Sequence, residues 1–308
     1  MNKKNIWVTG STGMVGQALS RYINSSDQYN IIESKRSELD QTNQAETLNW
    51  VIKNKPDIII ITSALVGGIQ VNLKYPLDFL YQNSMVALNI INAADKINCE
   101  KLIFLGASCM YPKEASQPFK ESSILDGKVE ETNEGYAIAK ILGLKLIEFI
   151  NIQHNKKYIS IIPAASYGPN DCYDEKTNHV IPALIKKFHY AKINNIKSVE
   201  VWGSGKPLRE FLHVDDMANG IMFILENYSE NKPINLGTSE EVSIKELALL
   251  ISNVVNYKGD IVFNADKPDG ILRKILDSSK LQSLGWSPSI KLTDGLKLTY
   301  DIYLKNLG

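Results

Sequence analysis

Short apolar runs alternate with helically spaced stripes through the first half of the chain. Ile6-Trp7-Val8, Ile31-Ile32, Ile58-Ile59-Ile60-Ile61 and Leu102-Ile103-Phe104-Leu105 each hold four or fewer apolar residues, bounded by Gly, Pro, Asn, Asp or Ser. Such runs predict buried strands. Between them lie about 13–20 residues with helical periodicity. Met14, Val15, Ala18, Leu19 and Tyr22 form one stripe; Leu48, Val51 and Ile52 form a second; Leu80, Val86, Ile90, Ile91 and Ala94 form a third. A helix over roughly 134–153 and a strand at Tyr158–Ile162 continue the series. Repetition of strand, helix and strand at this spacing predicts an α/β fold, a doubly wound parallel sheet covered on both faces.

Beyond Pro163 the rhythm loosens. Residues 164–178, 203–211 and 264–274 read as loops; strands are predicted near 199–202, 234–236 and 260–263, and helices near 179–194, 215–228, 243–256 and 291–305. This part reads as a smaller, interleaved C-terminal domain with no clean linker. No internal repeat or low-complexity stretch interrupts it.

Charge narrows the class of partner. The 308 residues carry 34 Lys plus Arg against 34 Asp plus Glu, a formal net charge of zero. A nucleic-acid binder needs a basic field to displace counterions, and a membrane-surface protein needs a polybasic patch; neither is expected. Cys99, Cys109 and Cys172 show no CxxC zinc spacing and no disulfide framework. No run reaches the roughly 18 apolar residues that span a bilayer, and Thr9-Gly10-Ser11-Thr12-Gly13 interrupts any signal-peptide pattern. A cytosolic protein without a resident metal is the expectation.

Five features carry chemistry. Gly10-Ser11-Thr12-Gly13-Met14-Val15-Gly16 directly follows the first strand and opens an amphipathic helix. Glycines there allow a tight turn and bring backbone N–H groups to a pyrophosphate at the helix N-terminus, which makes the sheet Rossmann-type. Past the second strand, Glu33-Ser34-Lys35-Arg36 offers two cations for a 2′-phosphate, so NADP(H) is preferred to NAD; Glu33 on a ribose is the opposite reading. Tyr136 and Lys140 stand four apart and share a helix face, where an ammonium lowers a phenol's pKa and holds a ribose while the phenol donates a proton. Gly106-Ala107-Ser108-Cys109-Met110-Tyr111-Pro112 lies at the carboxyl edge of the sheet, with Cys109 as a thiolate base or an inert buried thiol. His179 opens a later helix as an acid/base group. His154 and His189 read as surface residues, and His213 as structural, before an Asp215-Asp216 helix cap.

In this order these residues resemble the GDP-L-fucose synthase family of the extended short-chain dehydrogenase/reductase superfamily, over nearly the whole chain from Gly10 to Trp286. Further words of the resemblance are Val66-Gly67-Gly68-Ile69, Asp78-Phe79-Leu80-Tyr81-Gln82-Asn83, His179-Val180-Ile181-Pro182-Ala183-Leu184, Val201-Trp202-Gly203-Ser204-Gly205, the run Arg209–Asp216 and Lys267-Pro268-Asp269-Gly270. The resemblance implies an NADPH-dependent epimerase and 4-reductase of a GDP-4-keto-6-deoxy-hexose, in a pathway to a surface polysaccharide or glycan precursor. Tyr136 would protonate the C4 ketone beside Lys140, Cys109 would take protons flanking the ketone, and His179 would return them from the opposite face. Leu105, Gly106, Pro163, Ala165 and Ser166 would join the glycine loop, Lys35 and Arg36 around the cofactor. Lys187, Trp202, Arg209 and Asp269 would bind the nucleotide-sugar; Lys187 replaces the usual Arg, keeping charge but losing the bidentate fork. A homodimer paired through helices near 82–97 and 134–153 is implied, although their apolar faces are equally compatible with core. The domains follow as a cofactor part, 1–165 with returning segments near 211–240, and a substrate part, 166–308.

Further positions depart from the family. Ala107 stands where the superfamily has Ser or Thr as a donor to the ketone, with Ser108 beside it. Ala165 replaces Asn, and Ser11-Thr12 replaces a basic pair in the glycine loop. Loss of one such donor typically costs on the order of a hundredfold in rate. A related sugar such as a dideoxyhexose or 6-deoxy-heptose, an epimerase or reductase that keeps one step, and an introduced Ser→Ala exchange are the competing explanations. A non-catalytic NADP- or nucleotide-sugar-binding protein is the reading from a different class; retention of Tyr136, Lys140, Cys109 and His179 speaks against it.

Overall fold

A computed structural model describes residues 3–174, 179–267 and 269–307. The chain begins with strand β1 (Lys4–Thr9), helix α1 (Met14–Asn24), β2 (Tyr29–Glu33), α2 (Gln44–Asn54) and β3 (Ile58–Ile61). It continues through α3 (Ile69–Lys74), α4 (Pro76–Lys96), β4 (Lys101–Leu105), α5 (Glu134–His154) and β5 (Ile159–Pro163). The remaining strands are β6 (Ala165–Tyr167), β7 (Ser198–Trp202), β8 (Leu208–Arg209), β9 (Phe211–His213), β10 (Ile234–Leu236), β11 (Val242–Ser243), β12 (Asp260–Asn264) and β13 (Arg273–Lys274). The remaining helices are α6 (Val180–Ile193), α7 (Val214–Asn227), α8 (Ile244–Val255), α9 (Ser279–Ser283) and α10 (Leu292–Leu307).

Six strands form the central sheet in the order β2-β1-β3-β4-β5-β10, with every pairing parallel. The unbroken run Ile58-Ile59-Ile60-Ile61 shows why these strands do not alternate with polar residues. Ile58 and Ile60 pack into one core with α1 and α7, while Ile59 and Ile61 pack into another with α2, α4 and α5. Both faces of the sheet are buried, so both sets of side chains must be apolar. Strand order reverses between β1 and β3, which opens the crevice beyond their carboxyl ends where open α/β sheets bind ligands.

A third core joins α6, α8 and α10 with β7 and Tyr167. The chain returns to the first core through α7 and β10, and again at Leu276, Leu281 and Trp286. The stretches expected as loops carry short strands: β6 pairs with β9, and β8 lies between β11 and β13. Two- and three-residue strands leave no periodic signature in sequence. The helix expected from 82 begins at Pro76, where proline suits the first helical position. On α2, Thr47 rather than Ile52 faces inward, and Ile52 is exposed. No helix among the described residues is long and apolar enough to cross a membrane.

Candidate active site

The glycine loop ends β1 with Gly10 at a φ of +64°, where a side chain would press within 2.9 Å of Ser63 Cα. A Cβ on Gly16 would stand 2.2 Å from Gly10 O, so the first turn of α1 can lie against the loop only as glycine. No side chain caps α1, and its first turn holds no acidic residue. The helix therefore presents free N–H groups and its positive end to an anion. Ser11 is buried, while Thr12 and Gly13 are exposed; Met14 and Val15 pack against the first core. Lys35 and Arg36 are exposed beyond β2, and Glu33 accepts a hydrogen bond from Ser20 Oγ at 2.7 Å. These features fit a dinucleotide with a 2′-phosphate.

Tyr136 and Lys140 rise from the N-terminal turns of α5 beside the end of β4. Lys140 is 4% exposed, and its Nζ donates to Leu105 O at 2.8 Å. The ammonium lies 4.9 Å from the Phe104 ring centre and 5.6 Å from that of Tyr136. Tyr136 meets Phe79 edge-on at 6.4 Å. Burial drives Lys140 down from 10.5 to about 8. Burial, then the nearby Cys109, pushes the Tyr136 phenol up. The expected lowering of the phenol by Lys140 is outweighed here by desolvation. A phenol held protonated is the state that a proton donor needs.

Lys140 loses its proton as pH rises through about 8. Unfolded lysine keeps its proton to about 10.5, so between these values the unfolded state binds more protons and this group's contribution raises stability with pH. A ¹³C-labelled lysine spectrum of the protein will show an ε-methylene that titrates near 8 and is absent in Lys140→Arg. All lysines titrating together above 10 would refute the assignment.

Gly106, Ala107 and Ser108 follow β4, and Ser108–Met110 form a single 3-10 turn. Cys109 is 8% exposed, and burial raises its thiol while Lys274 and Lys140 oppose the rise. The turn is tied down from behind. Tyr111 Oη donates to Asn235 Oδ1 at 2.6 Å, and the fully buried Asn235 Nδ2 donates to Phe119 O at 2.9 Å and Asp277 O at 3.0 Å. Asn235 and Lys274 were not singled out from sequence. A polar residue inside the apolar strand β10 was the available signal for Asn235; Lys274 has none, since only pairing of β13 with β8 brings it beside Cys109 and Arg209.

Pro163 ends β5, and Ala165 and Ser166 lie on β6. The proposed nucleotide-sugar residues gather around the end of β7. Lys267 Nζ stands 5.4 Å over the exposed Trp202 ring. Asp269 accepts from Ser204 N at 2.8 Å and Ser204 Oγ at 2.6 Å, contacts that hold its carboxyl below the usual range. Arg209 on β8 is attracted by Asp269, and Lys187 on α6 donates to Glu200 O of β7. His179 precedes α6 and is not hydrogen-bonded to Cys109 or Tyr136 among the described residues; its Nδ1 lies 4.0 Å from Asp171 Oδ1. The other histidines fall into place differently. His154 pairs with Asp95 at the surface, whereas His189 is half-buried and 2.9 Å from Tyr300 Oη. His213 is itself the cap of α7, its Nδ1 accepting from Asp215 N at 3.3 Å.

The profile of the NAD dependent epimerase/dehydratase family matches residues 6–237. GDP-L-fucose synthase 1 of Arabidopsis thaliana is 46% identical over 98% of this chain and 94% of its own length. The chain belongs to this family, on its GDP-L-fucose synthase branch. The GDP-L-fucose synthase of Escherichia coli K12 is 44% identical, covering 99% of this chain and 98% of its own. Among solved structures, the GDP-mannoheptose C4 reductase of Campylobacter jejuni, with NADP bound, superposes with a TM-score of 0.90 at 35% identity, covering 99% of both chains. Membership of this family makes the chain a nicotinamide-dependent enzyme of the epimerase and reductase class.

Proposed function

We propose that the chain is an NADPH-dependent epimerase and 4-reductase of GDP-4-keto-6-deoxy-mannose, yielding GDP-L-fucose. The observation that carries this reading is the convergence of Tyr136, Lys140 and Cys109 at the carboxyl end of β4, beside the crevice opened by the glycine loop. Lys35 and Arg36, with Glu33 engaged by Ser20, support NADP(H) over NAD. When bound, the cofactor supplies the hydride. Tyr136 gives its phenolic proton to the C4 oxygen, and Lys140 holds the ribose and Tyr136 in register. Cys109, with Lys274 and Lys140 opposing the burial of its thiolate, takes the acidic protons flanking the ketone. His179 returns protons from the opposite face, and Lys187, Trp202, Arg209 and Asp269 hold the nucleotide diphosphate. Residues 1–165 with 211–240 serve the cofactor and 166–308 the sugar, in a cytosolic enzyme.

In heavy water, with NADPH and GDP-4-keto-6-deoxy-mannose, the enzyme will consume NADPH and place deuterium at C3 and C5. Absence of both signals would refute the proposal. Ala107 and Ala165 favour a second reading, a related GDP-4-keto-dideoxyhexose or 6-deoxy-heptose; it predicts faster turnover of that sugar in the same assay.

We also infer a homodimer. Leu77 and Tyr81 on α4, and Ile138, Leu142, Phe149 and Ile152 on α5, recur at helical spacing and stand exposed, Ile152 by 73%. Light scattering will give the mass of two chains, falling to one in Phe149→Glu/Ile152→Glu; one chain in the parent protein would overturn this.

A further inference from the structure

Asp171 lies in the turn after β6, where its side chain is only 5% exposed. Its Oδ1 accepts the backbone N–H of Cys172 at 2.7 Å, and its Oδ2 is buried with no hydrogen-bond partner among the described residues. A buried carboxylate oxygen left unpaired costs free energy and calls for an explanation. The imidazole of His179 stands beside this carboxylate, on its Oδ1 side. The ring is 52% exposed, caps nothing, and brings Nδ1 to 4.0 Å from Asp171 Oδ1, just beyond hydrogen-bond reach. Both partners rest on firm supports. Residues Ile181, Leu184 and Ile185 seat the first turns of α6 in the third core. The Asp171 turn closes through Asp171 N to Gly168 O at 3.3 Å, and Asn170 Nδ2 donates to Gln17 Oε1 at 2.7 Å. Gln17 Nε2 in turn donates to Thr12 O of the glycine loop at 2.7 Å.

We propose that Asp171 is a positioning residue for His179: its carboxylate accepts Nδ1–H, fixes the ring, and leaves Nε2 as the atom that serves the sugar. The inference rests on the epimerase reading. A histidine bonded through Nδ1 has its reactive nitrogen defined by that bond, and catalytic contacts that are long without substrate tighten when it binds. In each inversion the Cys109 thiolate takes a proton from the carbon flanking the ketone. The C–H electron pair shifts toward the ketone oxygen as an enediolate. The imidazolium Nε2 then gives its proton to the same carbon from the opposite face, and the pair returns to carbon. Cys109 ends as thiol and His179 as neutral imidazole, and exchange with water resets both. The Asp171 carboxylate stabilises the imidazolium without taking its proton.

The test uses the full chain with Asp171→Asn, Asp171→Glu, His179→Gln and the double variant Asp171→Asn/His179→Gln. With NADP⁺ and GDP bound, ¹⁵N spectra of the His179 ring will show the Nδ1–H tautomer in the parent protein and a shift toward Nε2–H in Asp171→Asn. With GDP-4-keto-6-deoxy-mannose and NADPH in heavy water, Asp171→Asn will invert C3 and C5 about tenfold to a hundredfold more slowly, part of the roughly 10²–10⁴ that a positioned acid supplies. Deuterium will still enter from the Cys109 face, reduction of the uninverted ketone will continue, and KM will hold. Asp171→Glu will recover part of the inversion, and the double variant will be no slower than His179→Gln. An unchanged tautomer, equal losses of inversion and reduction, or additive losses in the double variant would each overturn the proposal. If the parent protein neither inverts nor reduces this sugar, the epimerase reading fails, and the ring spectra alone decide whether Asp171 orients His179.

Discussion

Tyr136→Phe will lower NADPH-dependent reduction by about 10²–10⁴-fold, the range that a positioned proton donor contributes. That corresponds to about 3–5 kcal/mol of barrier. The exchange removes one oxygen and keeps the ring, so the edge contact with Phe79 at 6.4 Å and the approach of Lys140 at 5.6 Å survive. The phenol makes no hydrogen bond within the chain among the described residues, so its loss orphans no buried partner and the melting temperature will hold. The substituted enzyme will still wash deuterium into the positions beside the ketone, because the proposed mechanism gives that step to Cys109. Single-turnover NADPH absorbance read beside product NMR separates the two. Undiminished reduction would remove Tyr136 from the proton-donor role. Loss of exchange together with reduction would mean a collapsed site.

Ala107→Ser will accelerate reduction of GDP-4-keto-6-deoxy-mannose, by on the order of a hundredfold when the missing donor limits the rate. Ala107 is extended, at φ −159° and ψ 151°, and partly exposed just before the turn that carries Cys109. An added hydroxyl fits such a backbone without strain and has open space on its exposed side. A donor aimed at the ketone oxygen is worth most as negative charge gathers there, so kcat will rise more than KM falls. Steady-state rates of the parent and substituted enzymes on this sugar check the expectation. An unchanged or slower rate would mean that the site is built for another GDP-4-keto sugar, and the same pair should then be compared on a 6-deoxy-heptose substrate.

The strand-and-helix order of the cofactor half was legible because each element is long enough to show its period. Ile58–Ile61 is apolar throughout because both faces of the sheet are covered. The glycines of the loop announce themselves because a side chain at Gly10 would press on Ser63 and one at Gly16 would strike Gly10 O. Tyr136 and Lys140 were readable as a pair because helical geometry alone sets their common face. The C-terminal part was less legible. β6, β8, β9, β11 and β13 are two or three residues long, and they form through partners distant in sequence.

Local periodicity and spacing determined the parallel sheet, the cofactor loop and the Tyr136–Lys140 pair, since each rests on neighbours within a few residues. What surrounds them was decided only when the chain closed on itself. Lys274 reaches Cys109 through pairing of β13 with β8, Asn235 holds the Cys109 turn from across the sheet, and Asp171 meets His179 where the turn after β6 approaches α6. Burial, too, is a tertiary quantity. It overturned the expected lowering of the Tyr136 phenol, because removing charge from water costs more here than one nearby ammonium returns.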